Sequence, residues 1–229
     1  FHHRMLSLFY RAWANTEPTV SFDRPHTDRF ADYVGAMAGL GMSSLRKRDE
    51  IADLTKFYYC GRLASQTRCA EGLQDILCDY FGLPVQIVPF VGEWLALPAQ
   101  SICRLGHDPA NGTLGRSTML GLRVWSCQHR FRVILGPLGF SEFEKFLPAG
   151  ERIRGLIALV RNYIGDELAW DLKLVLKRQD VPVMDLTSGF RLGWTTWLGK
   201  KTEATDADDL TIDAFAFITR TLQPSEGFK

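Results

Sequence analysis

The sequence predicts an α+β protein: a helical N-terminal region followed by two repeated helix–strand–loop modules carrying small, mostly antiparallel sheets. Three observations predict it. Apolar residues recur at helical spacing over 1–13, 67–81 and 151–164, and at strand spacing over 168–177. The helices at 67–81 and 151–164 share an internal pattern, and each leads through a strand and a long loop to the same octapeptide. Proline falls between these segments and never within them, and Gly82 and Gly165 follow the second and third of them directly. The expected division is 1–66 as the helical region, 67–150 as the first module, and 151–229 as the second module with a tail.

Taken in order, Phe1, Met5, Leu8, Phe9, Ala12 and Trp13 define a helix over 1–13. Residues 17–27 hold two prolines among polar residues and read as a loop. A helix over 30–40 is weakened by Gly35 and Gly39, with Gly41 beyond it. Arg46, Lys47 and Arg48 read as a solvated face ahead of a helix over 49–63. Over 67–81, Cys69, Leu73, Ile76, Leu77, Tyr80 and Phe81 line one helical face, and Gly82 and Pro84 stop the helix. Residues 85–97 read as extended, and 98–115 as a long loop rich in Gly, Pro and Asn. Residues 122–135 read as strand, with hairpin character, carrying Trp125, Phe131, Val133 and Leu135 on one face.

Ser141 and Glu144 have the spacing of a capping box opening a short helix that Pro148 ends. Ile153, Leu156, Ile157, Val160, Tyr163 and Ile164 define the helix over 151–164, closed by Gly165. Over 168–177, Leu168, Trp170, Leu172, Leu174 and Leu176 alternate with Ala169, Asp171, Lys173, Val175 and Lys177, which is a strand with one buried face. Residues 203–209 are acidic and read as a surface loop, and 210–218 as a last strand.

Composition bounds the function classes. The chain has 229 residues, 46% of them hydrophobic and 23% charged, as in an ordinary globular protein with a substantial core. A net charge of +1 gives no electrostatic footprint for nucleic acid or an anionic membrane. No apolar run is long enough to span a bilayer, so direct membrane insertion is not expected, and no secretory leader pattern is present. Phe1 already lies inside a helical pattern, so an upstream segment is expected. The odd count of five cysteines, Cys60, Cys69, Cys78, Cys103 and Cys127, favours reduced thiols, and their spacing matches no zinc site.

The most informative feature is the internal repeat. Gly72-Leu73, six residues, then Tyr80-Phe81-Gly82 in one copy match Gly155-Leu156, six residues, then Tyr163-Ile164-Gly165 in the other. Further on, Leu114 to Gly121 and Leu192 to Gly199 both fit L-G-x-[ST]-T-x-L-G. Two copies are too few for a solenoid. Such a duplication either offers two similar surfaces to two copies of one partner or only builds core; the residues alone leave both open. The glycines of the octapeptide are expected at positive φ or at close packing, and the intervening Met or Trp in the core.

Candidate chemistry is weak by comparison. Gly193 to Lys200 resembles a phosphate-binding loop, but its glycines are too far apart and Lys201 stands where Ser or Thr would bind Mg²⁺. Gly39 to Ser44 lacks the third glycine of a dinucleotide fingerprint. No nucleophile elbow or paired-histidine zinc motif is present, and His2, His3, His26, His107 and His129 form no ligand pattern. Arg123, Trp125, Arg130, Phe131 and Arg132 interleave cations with aromatics, as some RNA-binding sheets do, but at this net charge they read as the polar face of a half-buried strand. An enzyme with a cofactor at the glycine-rich turns and a nucleic-acid-binding module stand as alternatives to a scaffold; no cofactor, catalytic residue or metal ligand is assigned.

The segment Phe1-His2-His3-Arg4-Met5-Leu6-Ser7-Leu8-Phe9-Tyr10-Arg11-Ala12-Trp13 resembles the F-x-H-R-x-x-S-L-F-Y-R-A-W segment of the TssG (ImpH/VasB) family. Gly72-Leu73 with Tyr80-Phe81-Gly82, Leu135-Gly136-Pro137-Leu138, Phe146-Leu147-Pro148, and Arg191-Leu192-Gly193-Trp194 with Trp197-Leu198-Gly199 are similar to that family in the same order, out to about Gly199. The resemblance implies a non-enzymatic subunit of the type VI secretion baseplate wedge, in the cytoplasm of a Gram-negative bacterium at the inner-membrane-associated baseplate. It implies two copies of TssF as partners, TssE nearby, a central VgrG hub, and two TssK trimers held by two protruding loops. The loops inside the repeats, 92–113 and 179–190, are the expected grips. Their apolar residues are Trp94, Leu95, Leu97 and Pro98 in the first, and Val181, Pro182, Val183, Met184 and Leu186 in the second. Either these anchor a partner or they pack back on their own domain.

Overall fold

The computed structural model describes residues 1–24, 28–104, 106, 109–183, 191–199 and 205–214. Its N-terminal region is helical: α1 (His2–Thr16), α2 (Pro18–Phe22), α3 (Arg29–Met37), α4 (Asp53–Tyr58) and α5 (Cys60–Ala64). Of the expected loop over 17–27, residues 18–22 are therefore helix, because Pro18 sits at the first helical position, where its missing N–H costs nothing; residues 25–27 lie outside the described residues. Asp28 caps α3 by accepting from the Ala31 N–H at 3.0 Å. The helix expected over 49–63 is instead two short helices meeting at Tyr59 (φ −89, ψ 11). Residues ahead of α4 leave the helix because Asp49 accepts from the Ile51 N–H and Ile51 enters the core, 1% exposed.

The basic run is not merely a solvated face. Arg46 pairs with Asp32 at 2.7 Å, donates to the Leu40 carbonyl and lies over the Phe57 ring, tying α3 to α4. Lys56 is buried between Asp49 at 2.7 Å and Asp53 at 3.4 Å.

The remaining elements are α6 (Ala70–Phe81), β1 (Val85–Val88), β2 (Glu93–Ala96), α7 (Pro109–Gly112), β3 (Arg123–Ser126), β4 (Arg130–Leu138), α8 (Phe140–Lys145), α9 (Arg152–Ile164), β5 (Ala169–Leu176) and β6 (Ala207–Asp213). Cys69 caps α6 through Sγ, which accepts from the Gly72 N–H at 3.3 Å, and is exposed rather than part of the apolar face. Gly82 ends α6 in the left-handed region. The capping box does not form: α8 starts at Phe140 after Gly139, leaving Ser141 inside the helix. Glu142 instead pairs with Lys145 and Arg152, and Phe143 is fully buried.

Strands β1, β4, β5 and β6 form one sheet in that order, with β4 and β5 parallel and the outer pairs antiparallel; β2 and β3 form a separate antiparallel pair. The sheets are thus mostly antiparallel and the class is α+β. Residues 85–97 split between the two sheets. So do 122–135, where β3 and β4 pair not with each other but with β2 and β1. Phe131, Val133 and Leu135 are buried, whereas Trp125, expected on the same face, is exposed because the chain changes sheet between them.

Strand β6 begins inside the stretch read as an acidic loop. Asp208 is drawn into the strand by Lys173 of β5 at 2.6 Å. Residues 215–218 of the expected last strand lie outside the described residues.

A single hydrophobic core joins both halves of the repeat and the helical region. It includes Ile51, Leu73 and Leu77 of α6, Val133 and Leu135 of β4, Phe143 and Phe146, Ile153 and Leu156 of α9, and Leu172, Leu174 and Leu176 of β5. On β5 the second face is not fully open. Asp171 is buried because Arg132, its register partner on β4, covers it with a two-pronged ion pair of 2.7 and 2.9 Å.

Candidate partner-binding surfaces

The segment after β1 builds a projecting arm. The Val91 N–H donates to the Arg130 carbonyl and the Leu97 N–H to the Leu122 carbonyl, both at 2.9 Å. Pairing is thereby carried from β1–β4 past β2–β3 as one bent two-stranded ribbon. At the bend Arg130 lies 3.0 Å from Glu93 on β2 and 3.1 Å from Asp213 on β6, which fixes the base of the arm to the sheet. Register sets Trp94 opposite Trp125 and Leu95 opposite Val124. The two indoles meet edge to face at 5.3 Å, yet both remain more than half exposed. A Cβ on Gly92 would lie 1.9 Å from the Trp125 ring, so only glycine lets that indole lie against the bend.

Of the residues expected to anchor a partner in the first loop, Trp94 and Leu95 lie on β2 rather than in a loop and are exposed, while Leu97 is half-buried and Pro98 exposed. In the second, Val181 packs partly buried against the core, Pro182 is half-buried and Val183 is exposed. Met184 and Leu186 lie outside the described residues.

The two octapeptides adopt one turn. In the first, the Arg116 and Ser117 N–H groups donate to the Thr113 carbonyl, and the Thr113 N–H donates to the Ser117 hydroxyl at 3.3 Å. In the second, the Trp194 and Thr195 N–H groups donate to the Arg191 carbonyl, and the Arg191 N–H donates to the Thr195 hydroxyl at 2.8 Å. Gly115 and Gly121 have φ of +73 and +100, and their counterparts Gly193 and Gly199 have +79 and +81. These are backbone states that residues with a Cβ avoid. The hydroxyl residue in the fourth position is what the sequence pattern left unexplained: it clamps the turn.

The turns are seated differently. The second rests on the core through Trp194 and Trp197. The Trp197 ring meets Phe143, and its Nε1 donates to Asp209 of β6 at 3.2 Å. The first is carried beyond the ribbon, with Met119 nearly half exposed where Trp197 stands in its counterpart.

Ionisable groups serve packing. Burial and the Asp79 carboxylate push the Tyr59 hydroxyl well above its usual range, and it donates to Asp79 at 2.7 Å. Burial raises Tyr163, whose hydroxyl donates to the Cys69 carbonyl at 3.1 Å. The hydrogen bond to Asp171 raises Arg132. Of the arginines on the candidate RNA-binding strand, Arg130 and Arg132 are thus engaged by carboxylates of this chain. Among the described residues no group of His, Cys, Asp and Glu is arranged to hold a metal ion, and no helix is long and apolar enough to cross a membrane. An apolar groove of about 510 Å³ runs between α2, α3 and α4, walled by Phe22, Phe30, Val34, Leu54 and Phe57, with Asp23 and Asp28 at its edge.

A family model described as "Type VI secretion, TssG" matches residues 1–199. No functionally curated protein matches the sequence. Two solved chains share the fold. One, from a cryo-electron microscopy structure of a type VI secretion TssK–TssF–TssG baseplate subcomplex, aligns with a TM-score of 0.75 at 21% identity, covering 93% of this chain and 89% of that one. The other, from a type VI secretion baseplate complex, aligns with a TM-score of 0.66 at 20% identity, covering 93% of this chain and 61% of that one. With a family match spanning most of its length, in the order its motifs run, the chain belongs to the TssG family of type VI secretion proteins.

Proposed function

We propose that this chain is a non-enzymatic scaffold of the type VI secretion baseplate wedge, joining TssF and gripping two TssK trimers. It would act in the cytoplasm at the inner-membrane-associated baseplate, with TssE nearby and the VgrG hub at the centre. The observation that carries this reading is the twice-built turn. The same hydrogen bonds close the chain after 92–113 and after 179–190. One chain that must hold two copies of one partner needs the same local structure twice. The two solved chains sharing the fold come from assemblies of this kind, one of them described as containing TssK, TssF and TssG. The exposed ribbon with Trp94 and Trp125, and the aromatic face of α1, offer the large apolar anchors that dominate interface energetics.

The test is co-expression with TssF and tagged TssK, weighing the purified complex by native mass spectrometry. The expected mass contains two TssK trimers per chain, falling to one when either 97–113 or 179–190 is replaced by a short Gly/Ser linker. Retention of both trimers in both variants would place the grip elsewhere. Failure of the intact chain to take any TssK would remove the scaffold reading.

A further inference from the structure

The base of the arm holds a residue that is both strained and poorly buried. Strand β1 ends at Val88 and β2 begins at Glu93, and the chain changes sheet between them. Pro89 fixes its own φ and keeps Val88 extended, so the direction of the arm is set by the residues that follow. Phe90, the next residue, has a φ of +59, a left-handed state that a bulky side chain adopts only against strain. Its side chain is 74% exposed, yet it borders a pocket of about 250 Å³. That pocket is walled by Leu73 of α6, Ile87 of β1, Phe131 of β4, and Ile164 and Leu168 where α9 gives way to β5.

Two terms favour one movement. A return of Phe90 to extended φ relieves the backbone, and transfer of its ring from water to the apolar pocket is favourable. The cations beside the pocket are already used. Arg68 donates to the Arg62 and Leu63 carbonyls and lies over the Tyr163 ring, and Arg130 is bridged to Glu93 and Asp213. The pocket is therefore built for an apolar group rather than for an anion. The opposing terms all belong to the bend. The Val91 N–H donates to the Arg130 carbonyl at 2.9 Å, Glu93 lies 3.0 Å from Arg130, and the Trp125 ring lies against Gly92. Straightening the chain at Phe90 re-aims every residue after it and gives up these contacts.

We propose that Phe90 is a two-position latch coupling the direction of the arm to the core. In the position seen, the ring is out, φ is positive, and the arm is held bent by the Glu93–Arg130 pair and by Trp125. In the other, the ring fills the pocket between α6, β4 and the end of α9, Phe90 is extended, and the arm points elsewhere. The sheet is the same in both, because β4, β5 and β6 keep their pairing and Arg130 keeps Asp213. The arm thus changes its reach without unfolding anything it is attached to, whatever it meets at its tip.

Fluorine NMR on the full chain tests both ends of the latch. 4-Trifluoromethylphenylalanine at position 90 reports the ring, and 5-fluorotryptophan, with the Trp94 line assigned by Trp94→Phe, reports the arm. The expected result at position 90 is a major line open to a soluble paramagnetic reagent and a shielded minor line of about 0.1–10%, with Trp94 exchanging at the same rate. A single open line without relaxation dispersion would overturn the latch. Exchange at position 90 that Trp94 does not share would overturn its coupling to the arm. Phe90→Gly removes ring and strain together at an exposed position, and is expected to abolish the exchange of Trp94; exchange that persists would show that Phe90 does not drive it. Leu168→Phe takes up pocket space and is expected to lower the minor population roughly tenfold. Glu93→Gln removes one ion pair of the bend and is expected to raise it up to about fivefold. A minor population that neither substitution moves would overturn the assignment of the pocket and the bend as its two ends.

Discussion

Gly72 is a glycine because Tyr163 comes to it. A Cβ there would lie 2.4 Å from the Tyr163 hydroxyl, which is held by its bond to the Cys69 carbonyl as α9 crosses α6. Gly72→Ala is expected to cost about 1–3 kcal/mol by overpacking. In a Tyr163→Phe background, with the hydroxyl gone, the same substitution should cost less than half as much; urea denaturation of the four proteins measures the coupling. Gly155 holds the equivalent place on α9 but meets Ile51 at an ordinary 3.5 Å, so the repeat keeps the residue while only one copy needs its close approach.

Tyr59 and Tyr163 carry a second consequence at this scale. Both are raised from an ordinary value of 10.0, burial being the first cause in each. In the folded chain they stay neutral where the unfolded chain has already lost its protons. Their contribution is therefore complete below pH 10 and is lost as pH rises through the folded values. Stability measured from pH 8 upward should fall above pH 10, and Tyr59→Phe or Tyr163→Phe should flatten that fall.

At the scale of elements, the ribbon β2–β3 has the least support. A two-stranded pair exposed on both faces is marginal by itself, and here it depends on the continued pairing with β1 and β4, on Arg130 at the bend, and on Trp125 against Gly92. Gly92→Ala is expected to dislodge Trp125 and speed amide hydrogen exchange over 93–96 and 123–126, leaving 169–176 unchanged. Equal acceleration in both regions would mean that the arm is part of the core's cooperative unit. The adjacent β4–β5 pair shows the opposite case: parallel, central, and covered on its polar side by Arg132 over Asp171.

At the scale of the whole molecule, the helical region is fastened to the rest by Tyr59 and Leu63 packed against the core, by bonds from Tyr59 and Arg62 to Asp79 and Asp75 of α6, and by the stretch around Ile51. Ile51 enters the core, and Asp49 accepts from the Asn162 side chain of α9 at 2.7 Å while holding buried Lys56. Ile51→Ala is expected to cost about 2–5 kcal/mol in chemical denaturation. A smaller loss, under about 1 kcal/mol, would show that the region contributes little to the stability of the sheet. By contrast, α1 buries only Ala14 of its own residues, and Phe1, Phe9 and Trp13 stand exposed.

The α+β class, the helices α6 and α9, the strand β5, the family and the repeated octapeptide were all legible in the sequence. Each rests on local periodicity or on fixed spacing, and both survive in one dimension. Single-sequence periodicity also marked Leu73, Leu77, Leu156 and Leu172 as core. It did not say that 85–97 and 122–135 would each divide between two sheets, because a strand's partners are set by hydrogen bonds to distant segments. Nor could it tell that Trp94 stands outside the core while Val181 packs on it, or that one octapeptide would be seated on Phe143 and β6 and the other carried away on a ribbon. Local sequence determined the turn twice over, through glycine φ and a hydroxyl clamp. Only the tertiary structure decided which apolar residues would be left bare, because exposure depends on what the rest of the chain brings alongside.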